Sequence, residues 1–184
     1  MSKLLKVKNK KCKECGSDYT PFKTTQVVCS TKCATKLAEK KVWKEKKKIM
    51  IENTRTRTEW LTIAQAVFNT YIRIRDKHKG CISCGKPLNK NNTDAGHLWP
   101  LKYSYIRFNE YNVNAQCSRP CNKDMSGDIN NYRKNFVIRY SEEKLKELDL
   151  IAHREKKYTI DEIKDLIDEY KLKIKLKIKE HGKF

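Results

Sequence analysis

The sequence predicts a small α+β protein held together by bound metal more than by a large core, and three observations carry that prediction. Eight cysteines fall in two groups of four, apolar residues recur at helical spacing in two long stretches, and only 38% of the chain is hydrophobic against 35% charged. At 184 residues the length fits one ordinary domain or two small ones. Metal cross-links supply what so polar a chain lacks in buried surface.

Lys and Arg total 42 against 22 Asp and Glu, a formal charge of +20 with an isoelectric point near 9.6. Such an excess points to a polyanionic partner, most simply a nucleic acid. No stretch approaches the roughly 18 consecutive apolar residues of a membrane span, and the opening MSKLLKVKNKK has no apolar signal-peptide core. A cytosolic protein is expected. In a reducing compartment, cysteines at such density serve metal binding more often than disulfides.

Residues 1–35 form the first element. Cys12, Cys15, Cys29 and Cys33 make a Cys-x2-Cys pair followed by a Cys-x3-Cys pair. They predict a treble-clef-like zinc finger whose last cysteine starts a helix. It offers no obvious catalytic group and reads as a docking module for nucleic acid or protein.

Residues 36–80 read as a helical spacer in two parts. The stretch KLAEKKVWKEKKKIM is crowded with lysine and is either a solvated helix or a basic rod along phosphates, with Lys44 and Lys47 as candidate DNA contacts. Beyond it, Thr58 is the expected N-cap of an amphipathic helix with Glu59 in its first turn, ending near Gly80. Trp60, Leu61, Ala64, Val67, Phe68, Tyr71 and Ile72 form its apolar stripe, which is core or a dimer face. Arg73 and Arg75 suit the carboxyl end of the helix dipole.

Residues 81–140 hold the second cysteine group and most of the chemistry. Cys81, Cys84, Cys117 and Cys121 repeat the spacing of the first group, and a Gly follows the second cysteine in both CKECG and CISCG. A glycine there lets the backbone fold over a metal in a tight knuckle, with an amide aimed at sulfur. Two four-thiolate sites would lower the charge only to about +16. An interleaved assignment, with Cys12 and Cys15 joining Cys117 and Cys121, needs long loop closures.

Between these cysteines stand Asp94, His97, Asn114 and Asn122, in that order. A β-hairpin followed by a short helix accounts for the spacing. His97 lies on the first strand, Asn114 lies in or just before the return strand, and Ser118 caps a helix whose first turn carries Asn122 toward His97. The other histidines, His78, His153 and His181, sit in charged surroundings that need no ligand. Lys123 and Arg133 are further candidate phosphate contacts.

Residues 141–184 read as helical. Asp128 and Ser141 are expected N-caps for two short helices. Thr159 and Glu162 make a capping box for a last helix carrying Ile163, Leu166, Ile167, Tyr170 and Ile174, and KLKIKLKIK continues that helix.

The ordered residues of the central segment resemble a known family. The Cys-x2-Cys, Asp, His, Cys-x3-Cys-Asn order is similar to the HNH (ββα-metal) nucleases of the endonuclease VII type. The finger, the spacer, CISCG, DAGH, RFNEYN, QCSRPCN and SGD before NYR resemble the NinG (Rap) recombination proteins of lambdoid phages, over roughly residues 11–150. The resemblance implies a metal-dependent endonuclease that cuts branched DNA such as Holliday junctions or D-loops, working in the host cytosol. It implies His97 as general base, Asp94 and Asn122 as ligands of a catalytic Mg2+ or Mn2+, and Asn114 as the brace of the hairpin. The sequence departs from the pattern at Asn122, where His is usual, and at Gly96, where a carboxylate often stands. Two coordinated cuts across a junction imply a homodimer. A zinc-stabilised protein that only grips nucleic acid, and a general HNH nuclease without branch selectivity, are the competing readings.

Overall fold

The computed structural model describes residues 8–181; the outer ends of the expected finger and C-terminal region, residues 1–7 and 182–184, and the side chain of His181 lie outside that description. The chain divides into two compact units, one running to Arg55 and the other starting at Thr56. That boundary cuts the expected spacer in two. Its lysine-rich half belongs to the first unit and its amphipathic half to the second.

In the first unit, strand β1 (Lys10–Lys11) pairs antiparallel with β2 (Asp18–Tyr19), and helix α1 spans Thr31–Thr54. The Ser30 hydroxyl caps α1 by accepting the Cys33 N–H at 3.2 Å, so the last cysteine of the finger lies in the first turn of the helix. Beyond that turn the lysines dominate. No α1 residue is buried, and Lys44 and Lys47 are exposed.

The second unit opens with α2 (Arg57–Arg75), and its cap differs from the expected one. Thr56, rather than Thr58, is the N-cap: its hydroxyl accepts the Glu59 N–H at 3.3 Å, while the Glu59 carboxylate accepts the Thr56 N–H at 2.7 Å. A capping box needs its acid three residues after the cap, and only Thr56 stands at that distance from Glu59. The helix also stops at Arg75, before Gly80, because buried Asp76 takes the C-cap position.

Helix α5 (Ile160–His181) packs along α2 and covers its apolar stripe. Trp60, Ala64, Phe68, Tyr71 and Ile72 meet Ile163, Ile167 and Tyr170 there, joined by Phe108, Val113 and Tyr158. The rings of Phe68 and Tyr170 pack edge to face, with centroids 4.8 Å apart. Burying one such aromatic is worth about 2 to 3 kcal/mol. The stripe is therefore core within this chain, and the face it offered to a second subunit is covered. The Thr159–Glu162 capping box is present, and the KLKIKLKIK tail continues α5 without a break.

Between these two helices lies an antiparallel hairpin of β3 (Asp94–His97) and β4 (Val113–Gln116), with Gly96 opposite Asn114 and His97 opposite Val113. Helices α3 (Ile129–Arg139) and α4 (Glu142–Ala152) follow, and a second core of Ile82, Leu98, Tyr132, Phe136, Leu145 and Leu148 joins them to the hairpin. Ser141 caps α4 through the Lys144 N–H. Asp128 occupies the N-cap of α3 in a left-handed conformation and makes no capping bond to the backbone; its carboxylate accepts the Asn131 side-chain amide instead. Among the described residues, no helix is long and apolar enough to cross a membrane.

One expected element is absent. Ser118 does not cap a helix; Ser118–Asn122 is a single π-type turn in which Arg119 is extended, at φ −131° and ψ 138°. Arg119 precedes Pro120, and the proline ring disfavours helical backbone in the residue before it.

Candidate metal centres and active site

The two cysteine groups close on themselves. In each, the four sulfurs lie within 4.8 Å of one another, which excludes the interleaved assignment. Tetrahedral zinc with bonds of about 2.3 Å sets its sulfurs about 3.8 Å apart. The spacings fit: 3.6 Å for both Cys15–Cys29 and Cys29–Cys33, and 3.9 Å for Cys84–Cys117. Four thiols at these distances can hold zinc.

Both groups are built on the same knuckle. The Gly16 N–H donates to the Cys12 carbonyl and the Gly85 N–H to the Cys81 carbonyl, each at 2.9 Å, with φ of +77° and +70° at the two glycines. An L side chain is strained at such angles. The Cys29 N–H points at the Cys12 sulfur at 3.4 Å, and the Cys117 N–H at the Cys81 sulfur at 3.3 Å. Amides aimed at sulfur stabilise thiolate. The Cys15 amide helps draw the Cys12 thiol down to about 6, while the neighbouring Cys15 sulfur pushes Cys29 up to about 12. Burial raises Cys117 and Cys121. Four thiolates so close repel one another, and a dication removes the conflict.

The second knuckle anchors the hairpin. The Ile82 N–H donates to the Ala115 carbonyl at 3.0 Å, tying the Cys81–Cys84 turn to β4, and Cys117 follows directly on that strand. Asp94 and Asn122 meet: the Asn122 amide donates to the Asp94 carboxylate at 2.9 Å. Adjacent oxygens on octahedral Mg2+ stand about 3 Å apart for bonds near 2.1 Å, so the pair has the spacing of neighbouring ligands once the Asn122 amide presents its oxygen. Carboxylate and amide oxygen are hard donors that suit Mg2+ or Mn2+.

His97 closes β3, three residues beyond Asp94. Side chains alternate along a strand, so Asp94 and His97 leave opposite faces, with Cα atoms about 10 Å apart. His97 lies on the α2 side: its Nε2 stands 3.4 Å from the Gln65 amide nitrogen, and its Nδ1 stands 3.2 Å from the Ala95 carbonyl. That pairing fits a ring protonated at Nδ1, with the Nε2 lone pair facing the amide. Burial lowers its pKa to about 4, the Arg107 charge adding to the fall and the Ala95 carbonyl opposing it. The imidazole is therefore neutral at pH 7.

Asn114 is buried and fully engaged. Its amide donates to the Tyr111 carbonyl and the Tyr132 hydroxyl, each at 3.0 Å, and its oxygen accepts from the Tyr140 hydroxyl at 2.6 Å. Gly96, where the family pattern often has a carboxylate, is hemmed in: a Cβ there would stand 2.3 Å from the Gln116 side-chain oxygen. Lys123 is exposed beside the site. Arg133, expected among the phosphate contacts, is ion-paired with Asp149, which also accepts the Trp99 indole N–H at 2.9 Å.

A protein-family model described as Bacteriophage Lambda NinG protein matches residues 4–180. The chain belongs to the NinG family. NinG relatives among curated proteins include Protein ninG of Escherichia phage lambda, 32% identical over 94% of this chain and 95% of that protein. Protein ninG of Salmonella phage P22 is 30% identical over the same shares, and that of Enterobacteria phage H19B is 31% identical over 88% of this chain and 90% of its own length. No solved structure matches this NinG chain.

Several residues around the site carry no sequence motif of their own. Gln65 lies inside an apolar helix stripe, and its carbonyl accepts the Arg107 Nε at 2.9 Å. Asp76 is wholly buried, pairs with Arg75 and accepts the Ala115 N–H at 3.1 Å. Arg75 in turn donates to the Glu110 carbonyl at 2.7 Å and the Val113 carbonyl at 3.0 Å. Helix polarity alone had seemed enough for Arg75; its place in the structure is to bind β4 to α2.

Proposed function

We propose that this NinG-family chain is a metal-dependent endonuclease that hydrolyses phosphodiesters in branched DNA. The observation that carries the reading is that one short strand bears both an acid paired with Asn122 and a neutral, oriented imidazole. Hydrolysis proceeds by in-line displacement, so the attacking water and the departing oxygen lie on opposite sides of phosphorus. Asp94 with Asn122 and His97 leave opposite faces of β3, so bringing both to one phosphate requires the end of the strand to rearrange on DNA binding.

His97 in its neutral form takes a proton from water at Nε2, the water replacing the Gln65 amide there, as the new O–P bond forms and the bond from phosphorus to the 3′-oxygen breaks. The arriving phosphate raises the basicity of the ring, because a nearby anion favours imidazolium. Asp94 and Asn122 would hold a divalent ion, which would supply positive charge for the oxygen that departs. Asn114 braces the two strands and so holds His97 in register. The products carry 5′-phosphate and 3′-hydroxyl ends. The charge of +20 supports DNA as the substrate, with Lys123 and the exposed lysines of α1 as backbone contacts.

Purified protein, zinc-loaded and supplied with Mg2+ or Mn2+, is expected to cleave a labelled four-way junction in preference to linear duplex at fixed salt. His97→Ala is expected to bind the junction and not cut it. Binding without cleavage by the wild type would favour the second reading, a zinc-stabilised module that grips nucleic acid, which the lysine-rich and wholly unburied α1 supports. Equal cutting of linear and branched DNA would instead leave a nuclease without branch selectivity. Sedimentation of the junction complex tests the homodimer.

A further inference from the structure

Arg107 is partly buried and has no carboxylate partner, a condition it shares in the second unit with Arg73 and Arg139, but of these three it is the one hydrogen-bonded to a residue that also reaches His97. Its Nε donates to Gln65, and its guanidinium carbon lies 5.6 Å from the Phe108 ring centre. Among the described residues no hydrogen bond engages its two Nη groups and no ion pair neutralises it. Arg75 and Arg133, by contrast, are both paired with acids. A desolvated, uncompensated guanidinium is costly to keep, and a fork of free N–H donors is the geometry that recognises a phosphate.

Its position gives that cost a purpose. Gln65 links the two groups, its oxygen accepting from Arg107 and its amide nitrogen standing 3.4 Å from His97 Nε2. Arg107 is also close enough for its charge to act on the imidazole. The shared Gln65 link places Arg107 on the same side of β3 as His97.

We propose that Arg107 is a catalytic residue that binds a non-bridging oxygen of the scissile phosphate, with Gln65 holding it in line with His97. The proposal rests on the nuclease reading above and assigns a residue which that reading does not use. Negative charge builds on the non-bridging oxygens as water adds to phosphorus, so a fixed guanidinium is worth more in the transition state than in the ground state. Lysine, a single point charge on a flexible stem, cannot keep both the Gln65 bond and the phosphate fork.

The test uses the full-length zinc-loaded protein and compares Arg107→Met, which keeps the packing on Phe108, with Arg107→Lys. Both are expected to melt close to wild type, with Arg107→Met cleaving about 100-fold more slowly and Arg107→Lys falling between the two. Affinity supplies a second readout. In a His97→Ala background, Arg107→Met is expected to weaken binding to an all-phosphate junction but not to one bearing a neutral methylphosphonate at the cleaved position. Cleavage within twofold of wild type, or an equal loss of affinity for both junctions, overturns the assignment while leaving the nuclease reading standing. A wild-type protein that cuts no substrate overturns that reading, and this proposal with it.

Discussion

The side chains of Asp94 and Asn122 meet at 2.9 Å across 28 residues of sequence, brought together because Cys117 and Cys121 belong to the same metal knuckle as Cys81 and Cys84. Either side chain alone is a poor ligand for Mg2+. Asp94→Ala and Asn122→Ala are each expected to raise the Mn2+ concentration for half-maximal cleavage by at least about 10-fold. The folded protein is expected to lose only about 1 kcal/mol for the missing hydrogen bond. Mn2+ titration followed by electron paramagnetic resonance, alongside urea unfolding, separates the two effects.

His97 makes the second unit sensitive to acid. Its pKa is held near 4 in the fold, while an unfolded histidine titrates near 6.5. Between these values the unfolded chain binds a proton that the folded chain refuses, so stability is complete above about 6.5 and is lost as pH falls toward 4. The melting temperature of His97→Gln is expected to fall less than that of wild type over this window. Parallel melting curves for the two proteins would count against a buried, neutral ring.

Asp76 is the buried charge on which β4 depends. Asp76→Ala leaves Arg75 without its partner and the Ala115 N–H without its acceptor. Breaking a buried pair in this way costs about 3 to 5 kcal/mol. Urea unfolding is expected to show that loss, and cleavage is expected to fall with it because β3 and β4 lose register.

The two zinc sites are expected to be separable. Elemental analysis is expected to find two zinc ions per chain, one for each cysteine group. Cys29→Ser is expected to remove one ion and leave the melting of the second unit unchanged. Cys121→Ser is expected to remove the other and abolish cleavage, since the turn carrying Asn122 is then released.

Lys123 and Arg133 are expected to behave differently on DNA. Lys123→Ala is expected to reduce the slope of log affinity against log salt by about 1. Arg133→Ala is expected to leave that slope unchanged and to lower stability, because its charge is spent on Asp149. Junction binding at four salt concentrations distinguishes them.

Much of this arrangement was legible in the residues, and the limits were physical. Cysteine spacing and the glycines after Cys15 and Cys84 defined both knuckles, because thiolate geometry leaves few alternatives. Helical periodicity found the α2 and α5 stripes, though it could not show that they face each other. The hairpin followed from the positions of His97 and Asn114. Local rules failed where two signals competed: Pro120 broke the helix that Ser118 was expected to start, and Glu59 selected Thr56 over Thr58. Gln65 and Asp76 escaped notice because their importance lies in long-range partners, Arg107 and His97 for the first and Ala115 for the second, which no window of neighbouring residues reveals; Arg107 entered only as the first residue of RFNEYN, with no role of its own.

Helices α2 and α5 are the first and last elements of the second unit, yet they are packed face to face. During synthesis, the apolar side of α2 leaves the ribosome well before the segment that will shield it exists. Until then the α5-facing side of Trp60 and Phe68 is uncovered, and α2 is held through Arg75 and Asp76 to β4 and through Phe68 to Phe108. Completion of this core thus waits on the synthesis of α5, so a nascent chain that stops short of it carries the whole of β3 and lacks the cover of α2.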